Sequence, residues 1–459
     1  MKRLLVIGGG LTGLSAAWHA RRAGASVRLL ESAPQTGGVV QTYQENGYLA
    51  EGGPNSLVVS TAAILDLLNN LGLAGEIVPA APWARNRFVV RRGVPRPLPF
   101  TPGQFLHNPF VSFRVLRHLL REFRIPPRPA DAPGEESIAA FARRRFGPDI
   151  FNYAFDPFVS GIFAGDPEKL SVRYALPRLF ALEAEHGSVL RALRMQRRQP
   201  GAFKSRIISF RTGMAALPNA LAAQLGDSVT TSARLTSLQR DASGVWSAAW
   251  ETPDHSANES FDAVVLALPA HAVNQLPLPA PLSETLVPLA RVEHAPVAVA
   301  VLGYPRSAIG RRLDGFGVLV PSVEPFDILG TLFTSSVFPG RAPDSHVTLT
   351  TFVGGARHPD LAVLPADALF HLVTDNLKKI LRVNGRPTYQ RLIRWDRAIP
   401  QYKLDHGQLL ATLDAAERAW PGLALGGSYR SGVSVTNCLD YGRLAAARLL
   451  NLASASTTE

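Results

Sequence analysis

Residues 3–31 restrict the fold of this chain more than anything that follows them. Arg3-Leu4-Leu5-Val6-Ile7 reads as a short buried strand, and Gly8-Gly9-Gly10-Leu11-Thr12-Gly13 comes directly after it. An Ala-rich stretch to about Ala23 predicts a helix, and Gly24 closes it. Ser26-Val27-Arg28-Leu29-Leu30 then predicts a second buried strand ending at Glu31. Two strands joined in this way through a helix predict a parallel sheet of the Rossmann-like, dinucleotide-binding α/β class. Each small residue has a mechanical role in it. Gly8 permits a tight turn, Gly10 lets backbone approach a pyrophosphate, and Gly13 lets the helix lie close on the sheet. At Leu11 and Thr12, free N–H groups and the helix dipole favour the phosphate charge. Glu31, with Ser32 beside it, is placed to accept hydrogen bonds from ribose hydroxyls.

The glycines that come next favour FAD over NAD. Gly37-Gly38 follows Glu31 closely, and Gly47-Tyr48 leads into Glu51-Gly52-Gly53-Pro54-Asn55-Ser56. A second close-approach pair suits an extended dinucleotide lying across the domain, whereas a simple NAD domain more often continues into another strand–helix–strand unit. A distant segment suits the other half of such a site. Gly422-Leu423-Ala424-Leu425-Gly426-Gly427-Ser428-Tyr429 reads as a short buried strand ending in glycines, followed by Gly432-Val433-Ser434 and a helix from about Asn437 to Leu450. Gly427, Gly432, Val433 and Ser434 can offer backbone N–H groups to a flavin ring or its ribityl chain. Taken alone, this segment also reads as a Gly-rich strand–turn–helix of no special purpose.

Composition narrows the class. A chain of 459 residues suits two or three domains, and 46% hydrophobic with 18% charged residues is ordinary for a globular protein. The single cysteine, Cys438, excludes an internal disulfide and a Cys-rich metal site, which suits a reducing, cytoplasmic setting. No apolar run reaches membrane-span length. No signal peptide is expected either, because Leu4–Ile7 is consumed by the nucleotide motif. The net charge of +12 admits nucleic acid, an anionic membrane surface or an anionic small substrate. No nucleic-acid module is present, which leaves the last two. Phe113, Leu116, Leu119, Leu120 and Phe123 recur toward one side of a helix, with Arg114, Arg117, Arg121 and Arg124 following the other. Such a helix suits an anionic bilayer and equally a helix packed on its own domain with a solvated arginine face. A second basic run, Arg191, Arg194, Arg197 and Arg198, favours the bilayer.

The full order of motifs resembles the flavin amine-oxidase superfamily, and several peptides resemble its protoporphyrinogen oxidase branch. These include Gly53-Pro54-Asn55-Ser56-Leu57, Asn86-Arg87-Phe88, Asp156-Pro157-Phe158-Val159-Ser160-Gly161-Ile162-Phe163-Ala164-Gly165-Asp166-Pro167 and Leu313-Asp314-Gly315-Phe316-Gly317-Val318-Leu319-Val320-Pro321. Leu329-Gly330-Thr331-Leu332-Phe333, Thr351-Phe352-Val353-Gly354-Gly355 and Ala398-Ile399-Pro400-Gln401-Tyr402 continue the series. The resemblance implies a discontinuous FAD domain over 1–85, 202–272 and 405–459, and an inserted mixed-sheet substrate domain over 86–95 and 273–404. A helical subdomain over 96–201 would carry membrane contacts in membrane-bound relatives. Phe210-Arg211-Thr212-Gly213-Met214 resembles the family's Gly-Met turn, although Thr212 stands where a second glycine is common.

The reaction that this resemblance implies is oxidation of a porphyrinogen through FAD, with molecular oxygen as acceptor and hydrogen peroxide as product. Arg87 would pair with a propionate, Leu319, Leu332 and Phe352 would line the macrocycle, and Gly161 and Gly165 would bring backbone close to it. The scattered histidines His118, His186, His271 and His358 read as structural or surface residues, and no general base is named. Three alternatives stand beside this reading. Coproporphyrinogen oxidation uses the same chemistry. An amine oxidase or carotenoid desaturase uses the same scaffold, although the strand Ala295–Leu302 lacks the lysine usual in amine oxidases. A non-catalytic flavin- and tetrapyrrole-binding scaffold comes from another class. Peripheral attachment to the cytoplasmic face of a membrane and a homodimer are left open.

Overall fold

The computed structural model describes residues 1–99, 108–129, 132–196 and 203–451. The boundary expected at 201–202 and the arginines Arg197 and Arg198 fall outside them.

The strand Arg3–Ile7 forms as read, with Ser26–Leu30 on one side and Ala263–Ala267 on the other, all parallel. Val229–Thr230 and Leu423–Gly426 complete a five-stranded parallel sheet whose strands come from both ends of the chain. Such strands are apolar on both faces because both are covered. Leu4 and Val6 point into a core shared with the helices Leu11–Arg22 and Val435–Leu449. Leu5 and Ile7 alternate into a second core. It is filled by Trp246 and Trp250 of a three-stranded antiparallel sheet and by Leu413 of the helix His406–Ala419. The last helix begins at Val435, two residues before the Asn437 expected from sequence, because the Ser434 hydroxyl caps it by accepting the Asn437 N–H.

A second sheet has seven strands in the order Tyr389–Pro400, His294–Pro305, His346–Gly354, Gly330–Leu332, Gly317–Leu319, Phe88–Arg91 and Val94–Pro97. Phe88–Arg91 runs parallel to Gly317–Leu319, and the other pairings are antiparallel. One face, through Ala298, Ala300, Leu302, Val318 and Leu349, packs on Leu369, Val373, Leu377 and Ile380 of the helix Ala366–Leu381. The opposite face carries Leu319, Leu332 and Phe352.

A helical layer packs around Ile138, Phe141, Val159, Phe163, Leu170 and Val172. Arg145 is fully buried there, between Glu122 and Glu183, while Arg144 forms paired hydrogen bonds to Glu136 and to Glu183. Glu122 also accepts the N–H of Val189, fixing the helix Phe113–Glu122 against the helix Val189–Gln196. Within the first of these, Leu119 packs toward the helical core rather than joining the apolar stripe that the sequence assigned to it. Phe113 and Leu120 are left 82% and 72% exposed, with Leu116 and Phe123 exposed beside them.

Candidate active site

The glycines of the first motif differ in what surrounds them. Gly8 has φ +107°, and a Cβ on it would lie 2.3 Å from the carbonyl oxygen of Ala267. A Cβ on Gly13 would lie 1.9 Å from the carbonyl oxygen of Gly8, so the helix rests on the strand end with no room for a side chain. At Gly10 the surroundings differ: a Cβ would meet nothing within 4 Å. The helix that starts there has no side-chain cap and no acidic residue in its first turn. Its positive end therefore faces open space, as a pyrophosphate requires. Leu11 and Thr12 are buried, Leu11 in the core, so they would act through backbone.

Glu31 sits at the carboxyl end of its strand. Its carboxylate accepts the Gly9 N–H at 2.6 Å and the Ala33 N–H at 2.8 Å, and lone pairs remain on both oxygens. Ser32 is a long 3.4 Å from the same group. Gly38 stands over Gly10, 3.6 Å from its Cα measured from a built Cβ, and Gly37 donates to the Gly9 carbonyl. Gly53 approaches the Val39 carbonyl closely. Asn55 is buried with its Oδ1 unpartnered, in a segment with Pro54 and Ser56 only half-buried. A buried orphan acceptor beside open glycine backbone is what a polar ring ligand would satisfy.

The late segment joins the same place. A Cβ built on Gly426 would lie 3.4 Å from the Thr12 methyl, and one on Gly442 would meet the Thr12 carbonyl, so the helices Leu11–Arg22 and Val435–Leu449 cross closely. Gly427 and Gly432 both have positive φ, and Val433 is half-buried at the edge of the helical layer. Ser434 spends its hydroxyl on the helix cap, which leaves its backbone for a ligand. The Glu31, Gly37–Gly38, Gly53–Ser56 and Gly427–Ser434 elements thus lie around the carboxyl ends of the parallel strands, where ligands of open α/β sheets bind. They fit FAD.

Strand alternation explains the second half of the site. Leu319 pairs with Gly330, and Gly330 pairs with Phe352. Directly paired residues project to one face, so Leu319, Leu332 and Phe352 share it. All three are half-exposed, while their neighbours Val318, Thr331 and Thr351 are buried behind them. Val89 pairs with Leu319 and shares its face, and Arg87 comes directly before that strand. Its guanidinium lies 4.1 Å from the centre of the Phe316 ring, and burial pulls its pKa below the usual value. Among the described residues no carboxylate pairs with it, so a partly desolvated cation stands ready for an anion. Gly161 lies against Leu319, whereas Gly165 is buried against Gln401 and Leu170. The two glycines are therefore not brought together. Trp395 donates to the Gly52 carbonyl at 2.6 Å, which joins this sheet to the dinucleotide cradle.

Sequence reasoning missed Phe316, whose ring shelters Arg87, and Glu51. Glu51 is 1% exposed, accepts the N–H of Met214 in the Gly-Met turn and the hydroxyl of Thr42, and so ties three cradle segments together. Burial pushes its carboxyl up to about 7, against the opposing pull of Thr42, Met214 and Arg341. Burial pushes four imidazoles the other way, His271 among them. His19, His294 and His406 are each lowered to about 4, and His406 stacks 4.5 Å from Tyr402 beside the Gly427–Gly432 turn.

An imidazole neutral in the fold and protonated when unfolded gives stability that is lost as pH falls from about 6.5 toward 4. Glu51 gives stability lost as pH rises toward 7, and Asp440, also raised by burial, acts in the same sense, but four lowered imidazoles oppose these two carboxyls. Acidification from pH 7 to pH 5 should therefore lower Tm and release flavin. His406→Gln should flatten that drop by roughly 2 °C, measured by flavin fluorescence on heating. A His406→Gln profile parallel to wild type would show that His406 carries none of it.

Residues 11–450 match the family described as flavin containing amine oxidoreductase, and the chain belongs to that family. It is an FAD-dependent oxidoreductase. Among curated relatives, the mitochondrial protoporphyrinogen oxidase of Nicotiana tabacum is 32% identical, with 100% of this chain and 96% of the relative covered. The coproporphyrinogen III oxidase of Propionibacterium freudenreichii subsp. freudenreichii is 31% identical over 99% of this chain and 92% of the relative. A crystal structure from Exiguobacterium sp. 255-15, provisionally titled a protoporphyrinogen oxidase, has a TM-score of 0.78 at 24% identity, covering 97% of this chain and 98% of its own. That structure shares the fold.

Proposed function

We propose that the protein oxidises protoporphyrinogen IX to protoporphyrin IX, with molecular oxygen as acceptor and hydrogen peroxide as product. The observation that carries this is an arginine without a carboxylate partner among the described residues, beside the apolar side chains Leu319, Leu332 and Phe352. Val89, Gly317, Leu319, Gly330, Leu332, Thr350 and Phe352 share that face by alternation, and Arg87, directly before the strand of Val89, has no carboxylate partner among the described residues. Protoporphyrinogen carries its propionates along one edge and apolar groups along the other. Coproporphyrinogen adds carboxylates on the opposite edge, which Leu319, Leu332 and Phe352 would leave unpaired. FAD, when bound, takes the electrons and a hydrogen from the substrate and passes the electrons to oxygen. The chain's part is to anchor one edge at Arg87, flatten the ring system on Leu319, Leu332 and Phe352, and keep water from it.

The test is porphyrin fluorescence in air with each porphyrinogen supplied separately. Faster turnover of protoporphyrinogen IX is expected; preference for coproporphyrinogen III would move the protein to the other relative's reaction. Rates no faster than autoxidation with both would overturn the reading.

Peripheral docking on an anionic bilayer is part of the same proposal. No helix among the described residues is long and apolar enough to cross a membrane. The exposed strip Phe113, Leu116, Leu120 and Phe123 has Arg117, Arg121 and Arg124 exposed alongside it, and Leu193 and Met195 of the neighbouring helix are also exposed. An interfacial helix buries such a strip while its arginines meet lipid phosphates. Phe113→Ser with Leu120→Ser should weaken sedimentation with phosphatidylglycerol vesicles about tenfold and leave turnover in detergent unchanged. Equal sedimentation of wild type and variant would remove this surface from the membrane.

A further inference from the structure

The helix Asp156–Phe163 covers the substrate face, and two of its side chains have no role so far. Gly161 meets Leu319, with a built Cβ 2.7 Å from its Cδ2, so the Gly161 side of the helix faces the sheet. Phe158 lies three residues before Gly161 and four before Ile162, so it flanks both; Phe158 and Ile162 are 45% and 40% exposed, while Val159 and Phe163 are buried in the helical layer behind. Apolar side chains left open on the side that meets a half-exposed apolar sheet make the second wall of a slot.

The height of this wall is fixed from both ends. Asp156 is 1% exposed; it accepts the Ser322 N–H at 2.7 Å, just beyond the strand that carries Leu319, and it pairs with Arg357. Arg357 also reaches Asp166 beyond the other end of the helix, at 3.6 Å. The neighbouring Ala356 N–H donates to the Ala164 carbonyl at 2.7 Å. Arg357 and Ala356 follow the strand that carries Phe352. A π-helical turn, Phe151–Phe155, leads directly into the wall, and such turns cluster at functional sites.

We propose that Phe158 and Ile162 contact the macrocycle opposite Leu319, Leu332 and Phe352, and that Asp156 and Arg357 are positioning residues that set the width of the slot. The inference rests on the porphyrinogen reading above. A slot of fixed width admits a tetrapyrrole between two apolar walls and holds it against the flavin edge. Changing the wall should therefore alter binding before it alters chemistry.

The test compares wild type with Ile162→Trp and Asp156→Asn, using two readouts. One is binding of protoporphyrin IX, followed by the shift of its Soret band. The other is KM and kcat with protoporphyrinogen IX. Ile162→Trp adds bulk at an exposed position, and Asp156→Asn keeps an acceptor for Ser322 while removing the charge that holds Arg357. Both should weaken porphyrin binding and raise KM about tenfold, with kcat within about twofold and FAD content unchanged. Ile162→Trp with wild-type binding and KM would overturn the wall. Asp156→Asn with kcat and flavin content falling in step with KM would overturn the positioning role. Should Asp156→Asn fail to fold, Arg357→Lys decides that role, and a wild-type KM there would overturn it. A wild type that binds the porphyrin but does not oxidise the porphyrinogen would sink the reaction and leave the wall to stand on binding. A wild type that does neither would sink both.

Discussion

Arg87→Ala is expected to yield a yellow, folded protein whose kcat/KM for protoporphyrinogen IX is down about a hundredfold, nearly all of it in KM. The size follows from losing a paired, charge-assisted contact made by a partly desolvated guanidinium that has no carboxylate partner among the described residues. The direction of the KM effect follows from distance to the chemistry. A propionate anchor binds ground state and transition state alike, so its loss is uniform. Flavin content should not change, since Arg87 lies on the second sheet and touches no cradle residue through its one ring contact with Phe316. Stability should hold within about 2 °C, because removing a desolvated cation offsets the lost ring contact. Arg87→Lys should recover only part of the loss, since an ammonium neither forks nor stacks as a guanidinium does. The measurement is porphyrin fluorescence against substrate concentration, with flavin absorbance alongside. A wild-type KM in Arg87→Ala would take Arg87 out of the site.

The contrast between the two halves of the site explains what could be read from the chain alone. The dinucleotide cradle is legible because its requirements are local. Gly8, Gly10 and Gly13 are constrained by a turn, a ligand and a helix packing within a few residues of one another, so their spacing carries the geometry. The substrate face is not legible in that way. Arg87, Leu319, Leu332 and Phe352 become neighbours only through the register of four strands, and one residue of slip would send each to the opposite face. They were named through resemblance, with pattern alone favouring core for the apolar three. Residues whose roles depend on a partner far away in sequence stayed hidden altogether. Glu51 meets Met214, Phe316 shelters Arg87, and Asp156 meets Arg357. Leu119 marks the opposite error. Periodicity put it on the apolar stripe, and packing turned it inward.

The second large effect separates fold from site within a single motif. Gly13→Ala should give little soluble protein and no bound flavin. Its Cβ would stand 1.9 Å from the Gly8 carbonyl oxygen and 3.2 Å from the Ala267 Cβ, so the helix must lift off the strand end. Lifting it disturbs the core around Leu4, Val6 and Leu14, where overpacking typically costs about 1–3 kcal/mol and here falls on backbone that cannot rotate away. Gly10→Ala makes the opposite prediction. Gly10 has φ −72°, which alanine adopts freely, and its Cβ would meet no protein atom within 4 Å. The flavin-free protein should fold and melt as wild type does. FAD affinity should nevertheless fall about a hundredfold, because the methyl group would occupy the space where backbone N–H groups meet the pyrophosphate. Purification of both variants, followed by thermal melting and FAD titration, gives the comparison. Gly10→Ala with wild-type FAD affinity would mean that the open space over the first turn is not where the phosphates lie. A soluble, yellow Gly13→Ala would mean that the helix can withdraw from the sheet without cost, contrary to the close contact on which the cradle is built.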